Sequence, residues 1–157
     1  MIKVLFVCHG NICRSPMAEF IMKSLVVREG LSSDFFIASA ATSTEEIGNP
    51  VYPPARRRLA QAGISCEGKR AVQMTRRDYE RYDYLVGMDH WNISNMTRIA
   101  GGDPAGKIVR LLDLTERPGD VADPWYTGDF EATFRDVSEG SEALLRLCMK
   151  KLGRKRD

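Results

Sequence analysis

The 157-residue sequence predicts an α/β fold, namely a single three-layer domain with a central four-stranded parallel sheet flanked by helices in a Rossmann-like arrangement. Short, uninterrupted apolar runs, which are typical of strands buried on both faces, alternate along the chain with segments of helical apolar spacing. Such an alternation indicates a parallel sheet that is wrapped by helices and binds ligands at the carboxyl ends of its strands. Because 43% of the residues are apolar, one core spanning residues 1–157 is expected.

The first strand and the first helix flank a ten-residue segment, Val-Cys-His-Gly-Asn-Ile-Cys-Arg-Ser-Pro, at positions 7–16. Residues 4–7 are apolar and include β-branched and aromatic side chains, which predicts a buried strand. Ser15 followed by Pro16 predicts a helix start in which Ser15 provides the capping hydroxyl. Apolar residues then recur at helical spacing as far as residue 25, and Gly30 follows the expected end of this helix. The segment is therefore a strand, a tight loop and a helix N-terminus.

The loop composition predicts a site for a phosphate or a similar oxyanion. Gly10 and Asn11 tolerate positive φ, so the loop can curl and turn its backbone N–H groups inward, next to a helix N-terminus. Cys8 lies at the floor of this ring, where the positive field favours the thiolate. Arg14 can grip two equatorial oxygens at once with its planar guanidinium. The predicted phosphate-binding residues are His9, Gly10, Asn11, Ile12, Cys13, Arg14 and Ser15.

The pattern Cys-x5-Arg alone is weak, because the chain contains a second copy from Cys148 to Arg154. That copy has no preceding strand, no loop residues inside it and no following helix start. We interpret it as the end of a helix without a function. The first copy has all of these contextual elements.

The remaining strands are predicted at residues 35–40, 84–88 and 107–112. A loop at residues 42–54 is marked by its Gly and Pro residues, and a basic helix is expected at residues 55–62. A capping box at Thr75 predicts a short helix, and Asp89 is expected to begin another helix that ends at Gly101. A long final helix is predicted to carry its apolar residues near one face, namely Phe130, Phe134, Val137, Leu144, Cys148 and Leu152.

The segment at 7–16, its N-terminal position, the chain length and a late Asp-Pro-Trp-Tyr at 123–126 resemble the low-molecular-weight protein tyrosine phosphatases over essentially the whole chain. This resemblance implies a phosphotyrosine phosphatase I-like fold. It also implies hydrolysis of phosphotyrosine and other aryl phosphates through a phosphocysteine intermediate.

In the predicted mechanism, Cys8 attacks phosphorus while the loop amides and Arg14 hold the equatorial oxygens. Asp123 matches the acid of the family's Asp-Pro-aromatic-aromatic motif, and it would protonate the leaving phenolate and later activate water. No metal or other cofactor is expected, because the amides and Arg14 supply the positive field.

Other residues have two open interpretations. Trp125 and Tyr126 could wall the cleft and stack on a substrate ring, or could simply cover the loop. Besides capping the helix, Ser15 could donate to Cys8 Sγ. The resemblance gives Asn11 a role in organising the loop. It also implies a reversible, redox-sensitive Cys8–Cys13 disulfide, whereas Cys13 on its own is a small buried hydrophobe.

The sequence departs from the family pattern at two positions. Family members commonly carry a His in a His-x-Ala-x-Gln segment that supports the loop, and here Lys69 stands in its place. The cleft wall, which is often aromatic, has Glu45, and a carboxylate there would disfavour acidic sequence around the phosphorylated residue. These departures bear on the hydrogen bonds that support the loop and on the substrate preference.

Three alternatives remain open. An arsenate reductase on the same scaffold needs a pair of resolving cysteines in mid-chain, where only Cys66 is present. A protein-arginine phosphatase tends to carry Thr where this loop has Ile12. A non-catalytic phosphate-binding module would not need Cys8, Arg14 and Asp123 together.

A zinc site is not expected, because His9 and His90 are the only histidines and no second cysteine pair has the spacing of zinc ligands.

The composition limits which partners and which cellular compartment are expected. A net charge of +2 does not indicate nucleic acid binding, and no membrane span or signal segment is recognised. Four cysteines without a disulfide-like spacing indicate a reducing, cytoplasmic location. The basic tail at about residues 150–157 is expected to fray, with contact to an anionic partner or surface as an alternative. The expected partners are tyrosine-phosphorylated proteins or peptides, with inorganic phosphate, vanadate or sulfate as loop ligands.

Overall fold

The computed structural model describes the backbone of residues 1–156 and the side chains of residues 1–153. Within them, strands and helices alternate as the sequence predicts. They are β1 (Ile2–Cys8), α1 (Arg14–Arg28), β2 (Phe35–Ala41), α2 (Pro53–Gln61), α3 (Arg76–Arg81), β3 (Tyr84–Gly87), α4 (His90–Ala100), β4 (Ile108–Arg110), α5 (Pro124–Thr127) and α6 (Phe130–Arg156), with short 3-10 turns at Ser32–Asp34 and Leu111–Leu114.

The four strands form one parallel sheet in the order β2-β1-β3-β4, which confirms the predicted fold class. β1 is an interior strand, paired with β2 from Ile2 to Cys8 and with β3 from Val4 to Val7. Cys8 is therefore at the carboxyl end of an interior strand, where the chain must leave the sheet. In a parallel sheet this edge is the expected place for a ligand site.

Helices cover both faces of the sheet, and the side chains of β1 show how the two cores are divided. Val4 and Phe6 point into a core shared with α1, α2 and α6. Leu5 and Val7 point into a second core shared with α3 and α4. All four side chains are buried, as a strand inside a three-layer domain requires.

The caps predicted at three helix ends are present. Thr75 and Asp78 form a capping box at the start of α3. Asp89 caps α4, where its carboxylate accepts a hydrogen bond from Asn92 N, and Gly101 ends that helix in the left-handed conformation. These signals are local, so the sequence alone predicts them.

Two predicted boundaries are wrong, and one short helix was not predicted. β4 stops at Arg110 instead of reaching residue 112, because Leu111 turns into the core against α6. Gly140 of α6 lies so close to Leu111 that a Cβ there would overlap its side chain. The basic helix begins at Pro53 rather than at residue 55, and the short helix α5, which Asp123 caps, was not among the predicted helices.

α6 packs against α1 and is helical through Arg156. The tail at residues 150–157 was predicted to fray. Asp157 and the side chains from residue 154 onward lie outside the described part of the chain, so the fraying stays a prediction. No helix among the described residues is long and apolar enough to cross a membrane.

Candidate active site

The loop between β1 and α1 curls around the Cys8 sulfur. Asn11 has a φ of 58°, in the left-handed region, and its backbone N–H donates to Cys8 Sγ at 3.3 Å. The prediction of positive φ is therefore confirmed for Asn11. Gly10, which also tolerates positive φ, lies outside that region. Gly10 is instead a point of close approach, because a Cβ there would lie 3.3 Å from Glu46 Cγ.

Ser15 is not the N-cap that the sequence predicts. α1 begins at Arg14 with Cys13 in the cap position, so Ser15 lies within the first turn. Its hydroxyl oxygen is completely buried and lies 3.0 Å from Cys8 Sγ. Because the curled loop delivers the chain to the helix one residue before the Ser-Pro pair, the hydroxyl faces the sulfur instead of the helix end.

The side-chain amide of Asn11 ties the loop to the sheet and to the following segment. Its Nδ2 donates to Ser15 Oγ at 2.8 Å and to Ser39 Oγ at 2.9 Å. Its Oδ1 accepts from Val72 N at 3.2 Å. Both ends of the buried amide are therefore occupied, which holds the left-handed residue in place.

Behind this amide, Lys69 and Glu19 form a buried polar cluster. Ser39 Oγ donates to Glu19 Oε1 at 2.6 Å. Lys69 Nζ donates to the Ser39 carbonyl at 2.9 Å and lies 3.7 Å from Glu19 Oε1. Burial lowers the pKa of the Lys69 ammonium, and the Glu19 carboxylate opposes this shift. Lys69, which stands where family members commonly have His, therefore contacts Ser39 and Glu19, and Ser39 in turn binds Asn11 of the loop.

Arg14 is buried and held by three acceptors. Nη1 donates to Asp89 Oδ2 at 2.6 Å and to the Val121 carbonyl at 3.0 Å, and Nη2 donates to Asp123 Oδ2 at 3.4 Å. Burial acts to lower the pKa of this guanidinium. The charge of Cys8 and the hydrogen bond to Asp89 outweigh that effect and raise it.

Asp123 is the N-cap of α5, and its Oδ1 accepts from Trp125 N at 3.0 Å. Its other oxygen faces Arg14, and about a quarter of the side chain is exposed. The cap interaction fixes the orientation of the carboxylate, and the partial exposure gives it access to solvent.

A charged pair and aromatic rings form the rim. His9 Nε2 lies 2.8 Å from Glu45 Oε2, and both side chains are at least half exposed. The Trp125 ring packs against Tyr52 with ring centroids 4.9 Å apart. Tyr126 projects into solvent and is 83% exposed.

These residues surround one pocket of about 70 Å³. Cys8, Arg14 and Asp123, which are far apart in sequence, all line it. Asn11 and Ser15 lie behind the loop rather than on the pocket surface. The complete lining is Cys8, His9, Gly10, Ile12, Cys13, Arg14, Glu45, Glu46, Asp123, Trp125 and Tyr126. Within the part of the chain that the structure describes, no cluster of three or more His, Cys, Asp or Glu residues could hold a metal ion.

All four cysteines, whose side chains are described, are free and buried. Burial and the charge of Cys8 raise the pKa of the Cys13 thiol. Burial also raises the pKa of Cys148 to about 12. The Cys8–Cys13 disulfide stays a prediction.

Several residues that shape this site were not predicted from the sequence. Asp89 was predicted as a helix start only, but it also binds Arg14. Glu19 lies on the buried side of α1, where a carboxylate at helical spacing is a signal of an internal partner. Glu46 follows Glu45 and lines the same pocket. Pairings between distant positions such as 14 and 89 leave no local pattern.

Comparison with known proteins places this site in context. The family model described as low molecular weight phosphotyrosine protein phosphatase matches residues 3–157. The chain is 41% identical over 152 residues to the low molecular weight protein-tyrosine-phosphatase YfkJ of Bacillus subtilis (strain 168), with 96% of this chain and 97% of that protein covered. It is 36% identical over 147 residues to the low molecular weight phosphotyrosine protein phosphatase of Rattus norvegicus, with 90% and 92% covered. The crystal structure of YfkJ from Bacillus subtilis superimposes with a TM-score of 0.92 at 42% identity, covering 96% of each chain.

Proposed function

Because this chain belongs to the low molecular weight phosphotyrosine protein phosphatase family, we propose that it hydrolyses phosphotyrosine in proteins and peptides through a phosphocysteine intermediate. The observation that carries the proposal is the convergence of Cys8, Arg14 and Asp123 on one pocket. A thiol nucleophile, a bidentate cation and a carboxylic acid are the three groups that this reaction requires.

In the first step, the Cys8 thiolate attacks phosphorus and forms a sulfur–phosphorus bond as the bond to the tyrosine oxygen breaks. The backbone N–H of Asn11 donates to the sulfur at 3.3 Å and the hydroxyl of Ser15 lies 3.0 Å from it, so both can hydrogen-bond to the attacking sulfur. Arg14 binds the equatorial oxygens of the phosphoryl group. Because Asp89 and the Val121 carbonyl already hold this guanidinium, little reorganisation is needed when the substrate arrives.

Asp123 acts in both steps. As an acid it gives its proton to the departing phenolate oxygen of tyrosine. In the second step the resulting carboxylate takes a proton from water, whose oxygen attacks phosphorus and releases Cys8 thiolate and inorganic phosphate. Its place as the N-cap of α5, partly exposed at the edge of the pocket, suits both a substrate oxygen and an entering water.

The rim favours an aryl phosphate. The ring of Trp125 packs against the ring of Tyr52, so Trp125 offers an ordered apolar surface for the phenyl ring of the substrate. A phosphoserine side chain is shorter and has no ring to contact this wall. Inorganic phosphate, vanadate and sulfate fit the same loop as tetrahedral or trigonal-bipyramidal oxyanions.

The charges of the rim favour some peptide sequences over others. Glu45 and Glu46 both line the pocket, and Glu45 pairs with His9 in place of an apolar wall. Acidic residues next to the phosphotyrosine would face these carboxylates, so neutral or basic neighbours are preferred.

We also place the protein in a reducing compartment such as the cytoplasm, because Cys8 must stay a free thiol.

The test is a panel of matched peptides that carry phosphotyrosine, phosphoserine or phosphoarginine, assayed for phosphate release with and without vanadate. We expect hydrolysis of phosphotyrosine only, inhibited by vanadate, and faster with Arg than with Glu beside it. Release from phosphoarginine alone would make the protein an arginine phosphatase. Thiol-coupled reduction of arsenate without any phosphate release would make it an arsenate reductase.

A further inference from the structure

Asp120 precedes the segment that carries Asp123 and is bound to the start of α4. Its Oδ1 accepts from the backbone N–H of His90 at 2.9 Å and from Arg110 Nη1 at 2.8 Å. Its Oδ2 lies 2.6 Å from His90 Nδ1. One carboxylate therefore joins three groups from two other elements, α4 and β4.

These contacts surround a carboxylate that is about one third exposed. Partial burial acts to raise the pKa of Asp120, but the hydrogen bonds from His90 and Arg110 outweigh it and hold the pKa below its ordinary value. The carboxylate is therefore ionised at neutral pH, and its bonds to Arg110 and His90 are of the charge-assisted kind.

The next residue is fixed to the same region through its backbone. Val121 N donates to the Met88 carbonyl at 2.8 Å, and the Val121 carbonyl accepts from Arg14 at 3.0 Å. The side chain of Val121 is completely buried. Asp120 and Val121 together lead the chain along the C-terminal end of β3 toward the pocket.

The start of α4 contacts both Arg14 and the segment that leads to Asp123. Asp89, its N-cap, binds Arg14, and His90, its first residue, binds Asp120. The Asp123 carboxylate has one 3.4 Å contact to Arg14 and one cap hydrogen bond to Trp125 N, and its backbone carbonyl accepts from Tyr126 N and Thr127 N within α5. Because the cap and carbonyl bonds are made within α5 and the contact to Arg14 is long, the position of the carboxylate relative to Arg14 also depends on residues 120–122, where the Ala122 carbonyl accepts from Thr133 Oγ1 at 3.5 Å.

We propose that Asp120 is a positioning residue, which sets the place of the Asp123 carboxylate by anchoring residues 120–123 to His90 and Arg110. The inference rests on the proposed function, because it assigns Asp120 to the acid–base step of that reaction. Asp120 does not touch the substrate, so it should affect proton transfer to the leaving group and not the binding of an oxyanion in the loop.

The test compares two aryl phosphates that differ in how much they need an acid. Phenyl phosphate has a poor leaving group, whereas 4-nitrophenyl phosphate departs easily without full protonation. The value of kcat/KM includes every step up to the departure of the leaving group, so its ratio between the two substrates reports on Asp123. We expect Asp120→Ala to lower kcat/KM for phenyl phosphate roughly tenfold more than for 4-nitrophenyl phosphate.

Asp113→Asn is the matched control. Asp113 accepts from the same Arg110 side chain at 3.0 Å but belongs to the 3-10 turn after β4 and not to the segment that carries Asp123. It should leave the ratio within about twofold of the original. Vanadate affinity should be kept in both variants, because the loop amides and Arg14 are unchanged.

Equal losses on both substrates, or a loss of vanadate affinity in Asp120→Ala, would overturn the inference, because Asp120 would then support the fold or the loop in general. If the Ala variant does not fold, Asp120→Asn, which has the same shape without the charge, carries the same comparison. Wild-type protein that hydrolyses neither aryl phosphate would instead refute the proposed function.

Discussion

Arg14 Nη1 lies 2.6 Å from Asp89 Oδ2, and the two residues are 75 positions apart in the sequence. The exposed fractions of their side chains are 3% and 15%, so this ion pair is largely shielded from water. Asp89 is in turn fixed as the N-cap of α4. Because the Asp89 carboxylate holds one nitrogen of the planar guanidinium, the orientation of the guanidinium plane is fixed. That orientation determines which phosphate oxygens Arg14 can bind.

Substitution of Arg14 by Lys tests whether this plane matters. A lysine keeps the charge but offers a point cation that cannot contact two equatorial oxygens at once. We expect Arg14→Lys to lower kcat/KM for 4-nitrophenyl phosphate roughly 100-fold. Steady-state kinetics measures the change, and a loss below about threefold would show that charge alone is sufficient.

Asp123→Asn removes the acid and the base while keeping the shape of the side chain. The amide oxygen can still accept from Trp125 N, so α5 should keep its cap. We expect kcat on phosphotyrosine to fall by roughly 10²–10⁴-fold, with a smaller loss of kcat/KM for substrates that have good leaving groups. The same factor on every substrate would indicate that Asp123 is only structural.

Lys69→Met tests the support beneath the loop. The change leaves the Ser39 carbonyl and the buried Glu19 carboxylate without a donor from this side, which costs about 1–3 kcal/mol of unfolding free energy. Because Ser39 binds Asn11, we also expect kcat/KM to fall roughly tenfold. Urea denaturation and steady-state kinetics measure the two effects.

Lys23→Met is the control for this prediction. Lys23 binds the other oxygen of the same Glu19 carboxylate at 2.6 Å, but its side chain is 44% exposed, and water can replace it. We expect a loss of less than about 1 kcal/mol and little change in activity. If the two variants behaved alike, the proximity of Lys69 to the loop would have no special consequence.

The thiols should differ in their reaction with iodoacetamide near neutral pH. Burial raises the pKa of Cys148 to about 12 and also raises the pKa of Cys13 and of Cys66, so these three thiols stay protonated and unreactive near neutral pH. Cys8 faces the pocket with donors around its sulfur. Peptide mapping should find Cys8 alkylated alone, with protection by vanadate; equal labelling of Cys13 would contradict this.

Much of the fold is encoded in local patterns, and those parts were predicted correctly. β1 is an unbroken apolar run, Thr75 and Asp89 begin helices with recognisable caps, and Asn11 is a residue that tolerates positive φ. Each of these features depends on neighbours within a few positions. The central loop could therefore be located from the sequence alone.

The parts that were predicted wrongly or missed depend on distant contacts. β4 ends early because Leu111 packs against α6, and Ser15 faces Cys8 because the curled loop shifts the start of α1. The bonds from Arg14 to Asp89 and from Asp120 to His90 join positions that no periodicity connects. Such pairings become visible only after the sheet order brings the strand ends together.

The most direct test of the central claim is to trap the phosphoryl group on the enzyme. Asp123→Asn, mixed with 4-nitrophenyl phosphate, should form the intermediate quickly and hydrolyse it slowly, because departure needs little acid whereas attack by water needs the base. After acid quenching, mass spectrometry of the digested protein should find one phosphoryl group on Cys8, and none after the further change Cys8→Ser. A phosphoryl group on His9 instead, or turnover near the wild-type rate by Cys8→Ser, would contradict the role of Cys8 as the nucleophile.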